Sequence, residues 1–288
     1  MFTLVGASVD IPYKVYKLLG YLGPKLYFLR IPKTDKDEDA SLKELREDFG
    51  EKRAKVEAAL FQYLKWLEIR PDMEIDKGSS LPKVEWASYH SSSNENSNNV
   101  KDEEIAEKYI VRLAKLLARL RGVALTWETQ GSQGSEYSYT QPIIEDPSRA
   151  ATQLQNLARG HALLHGRNYI TKEDIPIVVK TVLSTGVVER VSIFDKLLRE
   201  EGTLSTSDIV AFLNVSANTA KRTMVELVVL GLVNTNESNE GTPYNEQKKI
   251  YLKDEFKWFT TNEFKKLRED FVPEDNHDEM NRGEQKND

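Results

Sequence analysis

The sequence predicts a mainly α protein with small β elements, and three features carry that expectation. Apolar residues recur at helical spacing over long stretches, most regularly in "EEIAEKYIVRLAKLLARLRG" at 103–122. Runs of β-forming residues are short, and the clearest pair, in "GVALTWETQGSQGSEYSYTQPII" at 122–144, flanks a Gly/Ser turn. After Gly186 the chain alternates short helical patterns with Ser, Asn and Gly breaks before two more β-rich runs.

Composition narrows the function. The chain has 288 residues, 40 basic and 46 acidic, for a formal charge of −6. Bulk charge therefore does not make it a nucleic-acid binder, and any such site must be local. It has no cysteine, which excludes disulfides, thiolate metal sites and a cysteine nucleophile. No apolar run approaches the roughly 18 residues of a membrane span. "MFTLVGASVD" lacks a basic leader region and a long apolar one, so a cytoplasmic location is expected.

Taken in order, "FTLVGAS" at 2–8 reads as a buried strand. "IPYKVYKLLG" reads as a short helix and "KLYFLRI" at 25–31 as a second strand closed by Pro32. These form a small unit over 1–32. Residues 33–186 form the second region. It opens with a charged helix ending near Ile69, with Gly50 as an internal break point and Val56, Leu60, Tyr63, Leu64 and Leu67 on its apolar side. "SSSNENSNN" at 91–99 is polar and low in complexity, so a mobile loop is expected over 90–100. The helix of 103–122 places Ile105, Tyr109, Leu113, Leu116, Leu117 and Leu120 inward, and a hairpin over 123–144 follows. A helix opens at Pro147. Thr171 and Asp174 then form a capping box, with Asp in place of the usual Glu or Gln, for the next helix.

Residues 187–260 form a separate module. It has one helix, a second capped by Ser205 and a third capped by Ser216, then "LVNTN" and "KKIYL" as two strands around a Gly/Pro/Asn-rich loop. That order is a winged helix-turn-helix. Residues 261–288 are charged and expected to be a largely disordered tail.

"LVGAS", "KVYKLLGYLGPKLYFLRI" and "DPSRAATQLQNLARGHALLHGRNYITKEDI" together resemble the C-terminal part of an archaeal-type AAA+ ATPase. The resemblance implies a partial AAA+ core over 1–32, a helical lid to 186 and an appended winged helix. It implies that Ser8 holds the place of the polar residue at the end of the sensor 1 strand. It implies that Lys25, or less well Arg30, holds the place of an arginine finger, and that Arg149 is sensor 2. The sequence also departs from the family. It contains no GxxxxGK followed by Ser or Thr, and no apolar strand ending in Asp-Glu. It is therefore expected to be the back half of a split or truncated ATPase, with no catalytic residue of its own and no cofactor alone. ATP and Mg would be handled only with a P-loop-bearing partner.

Each candidate has a plainer reading. A helix N-terminus carries about half a positive charge, so Arg149 in a first turn needs either an anion or the carboxylates of Glu145 and Asp146. His161 and His165 have the i, i+4 spacing of metal ligands, but His161 falls in the apolar arc with Leu154, Leu157 and Ala158, so no metal is expected. The aromatics Trp127, Tyr137 and Tyr139 suit cross-strand pairs better than base stacking.

In the third helix of the last module, Ala220, Met224, Leu227 and Val228 face inward. Asn218, Thr219, Arg222, Val225, Glu226 and Val229 face outward, with Lys221 at the edge. Asn218, Thr219, Lys221 and Arg222 are the candidate DNA contacts. Residues 187–260 hold nine basic and eleven acidic side chains, so double-stranded DNA is expected to be a weak partner. The expected partners are a P-loop-bearing AAA+ chain or further copies of this one, and no membrane. The alternatives are a winged-helix DNA-binding regulator and an inactive gene remnant.

Overall fold

The computed structural model describes residues 26–30, 38, 39, 42, 46, 49–69, 73–75, 82–84, 86, 97–131, 134–236 and 248–269. The fold is mostly helical with a few small strands, as the sequence predicts.

Helix α1 spans Phe49–Ile69, with Gly50 as its second residue, and ends where expected. Its apolar side is not an inner side. Val56, Leu60 and Leu64 are 67%, 55% and 49% exposed. Helical spacing tells which residues share a face, but not whether another element covers it. Two exposed i, i+4 pairs, Arg53–Glu57 and Lys55–Glu51, lace the surface of α1. A short antiparallel pair, β1 (Met73–Ile75) and β2 (Pro82–Val84), follows and was not anticipated.

Helix α2 spans Ser97–Arg121, so it begins inside the stretch expected to be a loop; 91–96 lie outside the described residues. It is the spine of the fold. Tyr109, Leu113, Leu116, Leu117 and Leu120 are buried as expected, and Ile105 is half-buried. The expected hairpin is present, with β3 (Thr126–Gly131) paired to β4 (Gly134–Tyr139) from Thr126↔Tyr139 to Gly131↔Gly134. A bridge between Val123 and Ile143 closes its base. Helix α3 (Pro147–Leu164) and helix α4 (Ile175–Thr185) both pack on α2.

The strand expected at 25–31 is not one. Residues 26–30 pair with no strand among the described residues and instead lie across helix ends. The Phe28 N–H donates to Thr185 Oγ1 (2.9 Å), the Thr185 hydroxyl donates to the Phe28 carbonyl (3.3 Å), and Arg30 donates to the Gly186 carbonyl (3.0 Å). The backbone groups a sheet would satisfy are met here by side chains of the helical body. The expected strand at 2–8 and helix at 11–20 lie outside the described residues.

Beyond Gly186 come helix α5 (Val188–Arg199), β5 (Thr203–Ser205), helix α6 (Thr206–Leu213), helix α7 (Ala217–Val229), β6 (Val233–Thr235) and β7 (Lys249–Leu252). The sheet has three strands rather than two, in the order β5-β7-β6, all antiparallel. The extra strand is three residues long and sits directly before a cap. Its Ser205 begins α6 by accepting from the Asp208 N–H, while the Asp208 carboxylate accepts from Ser205. Ser216 caps α7 through the Thr219 N–H.

A 3₁₀ helix, tighter than an α-helix, follows at Asp254–Thr260, then helix α8 (Asn262–Glu269). This corrects the expected tail. Phe256, Phe259 and Phe264 are buried, Trp258 stacks on Tyr109 at 4.8 Å, and Glu263 accepts from the Tyr109 hydroxyl and the Trp258 indole. The segment from Asp254 returns to the spine because its aromatics supply apolar area that its charged residues do not reveal. Residues 270–288 lie outside the described residues.

Nor is the last module separate in its core. Leu113 and Leu120 of α2, Val182 of α4, Phe194 of α5 and Leu227 of α7 belong to one continuous apolar cluster. Gly186 sits at the joint, where a Cβ would meet Val191 Cγ2 at 2.6 Å and Leu120 at 3.2 Å. Gly186→Ala is expected to destabilise the chain by about 1–3 kcal/mol through overpacking. Gly160→Ala, in a helix with open space around its Cβ position, is expected to stabilise it by about 0.5–1 kcal/mol. Urea unfolding of the two variants against the parent chain checks both signs.

Candidate functional site

Two regions gather the sequence-predicted residues: the N-terminus of α3 and the outer side of α7. Ser8 and Lys25 lie outside the described residues.

Helix α3 begins as the sequence dictates. Pro147 takes the first position and Asp146 caps the helix, accepting from the Ser148 N–H at 2.7 Å. That hydrogen bond holds the Asp146 carboxyl below its usual range. Arg149 follows in the first turn and is exposed. The plainer reading gave it an ion pair with Glu145 or Asp146. Among the described residues it makes no hydrogen bond or ion pair, and it acts on Glu145 and Tyr27 only through space.

Behind it lies a half-buried group of which the sequence singled out only Glu145. Burial raises the Glu145 carboxyl, against the pull of Arg121 and Arg149, and one of its oxygens is buried without a partner among the described residues. The Tyr27 hydroxyl is likewise buried without a partner among them, and burial pushes it up to about 12. Arg121 is buried and donates to the Leu26 carbonyl at 3.3 Å. No sequence pattern links residues 27, 121, 145 and 149. They meet only because 26–30 crosses the end of α2.

The far end of α3 is fixed by a buried polar cluster. Gly166, at φ +74°, turns the chain after the helix, and Arg167 returns toward it. The Arg167 guanidinium donates to both Asp174 oxygens at 2.8 and 2.9 Å, the Thr171 N–H donates at 2.8 Å, and His161 Nδ1 lies 2.8 Å from the same carboxylate. The capping box was legible; the arginine and histidine that complete it were not. His161 is a satisfied histidine, tied to Asp174, and His165 sits exposed at the end of the helix. Burial alone would raise the Asp174 carboxyl, but the hydrogen bonds from Arg167, His161 and Thr171 outweigh it and hold the carboxyl below its usual value.

On α7, Ala220, Met224 and Leu227 are buried as expected. Glu226 is not on an outer face: it is 6% exposed. One of its oxygens lies 3.5 Å from Arg190, which is 4% exposed, and the other accepts from the Thr126 hydroxyl at 3.2 Å. Arg190 also donates to the carbonyls of Leu120 and Gly122 at 3.1 and 2.6 Å, closing the C-terminus of α2. Helical spacing could not show that a buried arginine and a hairpin threonine come to that side of α7.

Asn218, Thr219, Lys221 and Arg222 are exposed at the start of α7. Arg222 Nε donates to Thr126 Oγ1 at 3.1 Å, and the Tyr137 hydroxyl donates to the Asn218 carbonyl at 2.9 Å. A cavity of about 160 Å³ opens beside them, bounded by Val187, Arg190, Thr219 and Arg222.

Residues 146–191 match the family model of the AAA lid domain. The match covers α3, the Arg167–Asp174 cluster, α4 and the start of α5, and places a part characteristic of AAA+ ATPases in this stretch. Neither the curated proteins nor the solved structures compared with the chain gave a match. Among the described residues no helix is long and apolar enough to cross a membrane.

The buried cluster sets a stability prediction. Asp174→Asn leaves the Arg167 charge without its partner and is expected to cost about 3–5 kcal/mol. The folded Asp174 carboxyl lies below its unfolded value of 3.8, so its contribution is present above that pH and is lost as pH falls through the folded value. Urea unfolding between pH 7 and pH 2 is expected to show this acid loss in the parent chain and a shallower dependence in Asp174→Asn.

Proposed function

We propose that the chain is the lid and winged-helix portion of an AAA+ ATPase assembly. It contributes nucleotide sensing and partner contact, while the P-loop and magnesium-holding acid come from outside these 288 residues. The observation that carries the reading is the AAA lid match over 146–191, with Arg149 in the first turn of the helix that opens it. A guanidinium beside the N-terminal amides of a helix is a phosphate-binding arrangement. The absence of an ion pair for Arg149 among the described residues leaves it available for an anion. Ser8 and Lys25 complete the proposed set by sequence: Ser8 facing the γ-phosphate and Lys25 reaching a neighbouring subunit's nucleotide. The partners are further AAA+ subunits, carrying a P-loop or repeating this chain.

The three helices and three-stranded sheet from Val188 to Leu252 support the winged-helix reading, with α7 as the helix presented to DNA. The cationic contacts on α7 are Lys221 and Arg222, so DNA binding by one copy is weak and gains strength when copies are arrayed.

The chain alone is expected to release no phosphate from ATP above background at micromolar protein. In a complex with a P-loop ATPase selected by pull-down on this chain, Arg149→Ala is expected to lower turnover at least about tenfold while assembly by size-exclusion chromatography is unchanged. Turnover by the purified chain alone, or full turnover in the Arg149→Ala complex, overturns the proposal.

A further inference from the structure

We infer that the β3–β4 hairpin is a removable cover on α7, which holds back the helix from double-stranded DNA until the hairpin is displaced. This rests on the winged-helix reading of 188–252 and goes beyond it.

The hairpin takes up the groups that α7 would offer to a duplex. Thr126 holds the Nε–H of Arg222, the Tyr137 hydroxyl holds the carbonyl of Asn218, and Thr126 also donates to Glu226 one turn beyond Arg222. Thr126 and Tyr137 share one hairpin face, since Thr126 pairs with Tyr139 and Tyr137 with Glu128 across the ladder. That face lies toward α7. Trp127, on the opposite face, is 48% exposed.

Arg222 is thus held between a hydroxyl and the Glu226 carboxylate 3.6 Å away, with its charge partly offset before any phosphate arrives. Glu128, opposite Tyr137, adds negative charge at the same edge, and together with burial it raises the Tyr137 hydroxyl. A phosphate backbone approaching α7 meets an acidic hairpin first.

The cover is weakly attached, unlike the fold beneath it. Val123 and Ala124 are buried, 5% and 3% exposed, and the Val123–Ile143 bridge ties the hairpin base to the body. Beyond Ala124, none of the hairpin side chains described is buried. What holds it to α7, among the described residues, is three polar contacts: Arg222–Thr126 and Tyr137–Asn218 are exposed and of small net worth in water, and Thr126–Glu226 reaches a buried carboxylate that Arg190 also holds. The apolar core does not depend on it. Structure with few buried apolar contacts opens locally at a fraction of the cost of global unfolding. Glu226 stays with Arg190 when the hairpin leaves, so α7 keeps its place, while Arg222 loses its bond to Thr126 and retains its i, i+4 neighbour Glu226, and the Asn218 carbonyl is released.

The test uses the full chain and a labelled DNA duplex at low salt, read by fluorescence anisotropy. One variant replaces 126–139 by a short Gly-Ser linker, which the paired ends Thr126 and Tyr139 allow. A second, Tyr137→Phe with Thr126→Val, keeps the hairpin but removes its bonds to α7. Both are expected to keep one cooperative thermal transition, lowered slightly by the loss of the Thr126 bond to Glu226, and to bind the duplex about tenfold tighter than the parent, the effect of losing one or two such contacts. The gain is expected to vanish when Lys221→Ala and Arg222→Ala are added. Equal affinity of the parent and both variants overturns the cover. If Lys221→Ala still weakens all three, the winged-helix reading survives that result. Absence of duplex binding in every variant overturns both. A gain that persists without Lys221 and Arg222 overturns the assignment of α7 as the covered surface.

Discussion

The joint between the lid and the module after it depends on one buried guanidinium. Arg190 sits where α2 ends, α5 begins and α7 passes. It donates to the carbonyls of Leu120 and Gly122 and faces Glu226. The last carbonyls of a helix have no partners of their own, and the end of α2 is buried, so something must satisfy them. A cation at a helix C-terminus does this with favourable sign. Once Arg190 is there, its charge needs an acid, and α7 supplies Glu226 in the middle of what would otherwise be an exposed face. Among the described residues the Arg190 Nε–H is buried without a partner, so the arrangement is not fully satisfied by them. Its weight lies in geometry: it fixes α7 against α2 through groups that have no equivalent alternative placement.

The same logic explains why the module is not free of the lid. Gly186 and Gly122 bring backbones close to apolar side chains, with a Cβ on Gly122 falling 2.6 Å from Leu230. The aromatic return of Phe256, Phe259 and Phe264 then closes the body from the other side, around α2 and α5. Arg149 at one end of α3 and Lys221 at the start of α7 therefore belong to one packed body. On the proposed reading, a nucleotide-dependent shift of the lid carries α7 with it as a rigid attachment.

What the sequence made legible follows from what periodicity and local chemistry can express. The inner face of α2, the caps Ser205 and Ser216, the Thr171–Asp174 box, the hairpin and the start of α3 at Pro147 are all local signals, readable within a few residues. The failures are non-local. Val56, Leu60 and Leu64 form a correct stripe with no cover, because nothing in α1 says what packs on it. "KLYFLRI" has strand composition, yet residues 26–30 are held by Thr185, Gly186 and Arg121, far along the chain. The tail was judged by its charge, and Phe264 and Leu267 were outvoted by their neighbours. Glu226 was placed outside because a glutamate is normally exposed, and only Arg190 reverses that.

The candidate site divides along the same line. Arg149 could be found from sequence because its oddity is local: a cation in a first turn. The Tyr27 and Arg121 groups that join Glu145 behind it could not, since three separate segments meet there. Their state bears on how Arg149 acts. Glu145 is half-buried, raised by burial and drawn down by two arginines, so its charge depends on both. An anion arriving at Arg149 would take up part of that guanidinium's field and weaken its hold on Glu145. The effect reaches Arg121, at the end of the helix whose terminal carbonyls Arg190 closes. Arg121 is tied to the Leu26 carbonyl, so this group of charges stays at the junction of α3, the end of α2 and residues 26–30.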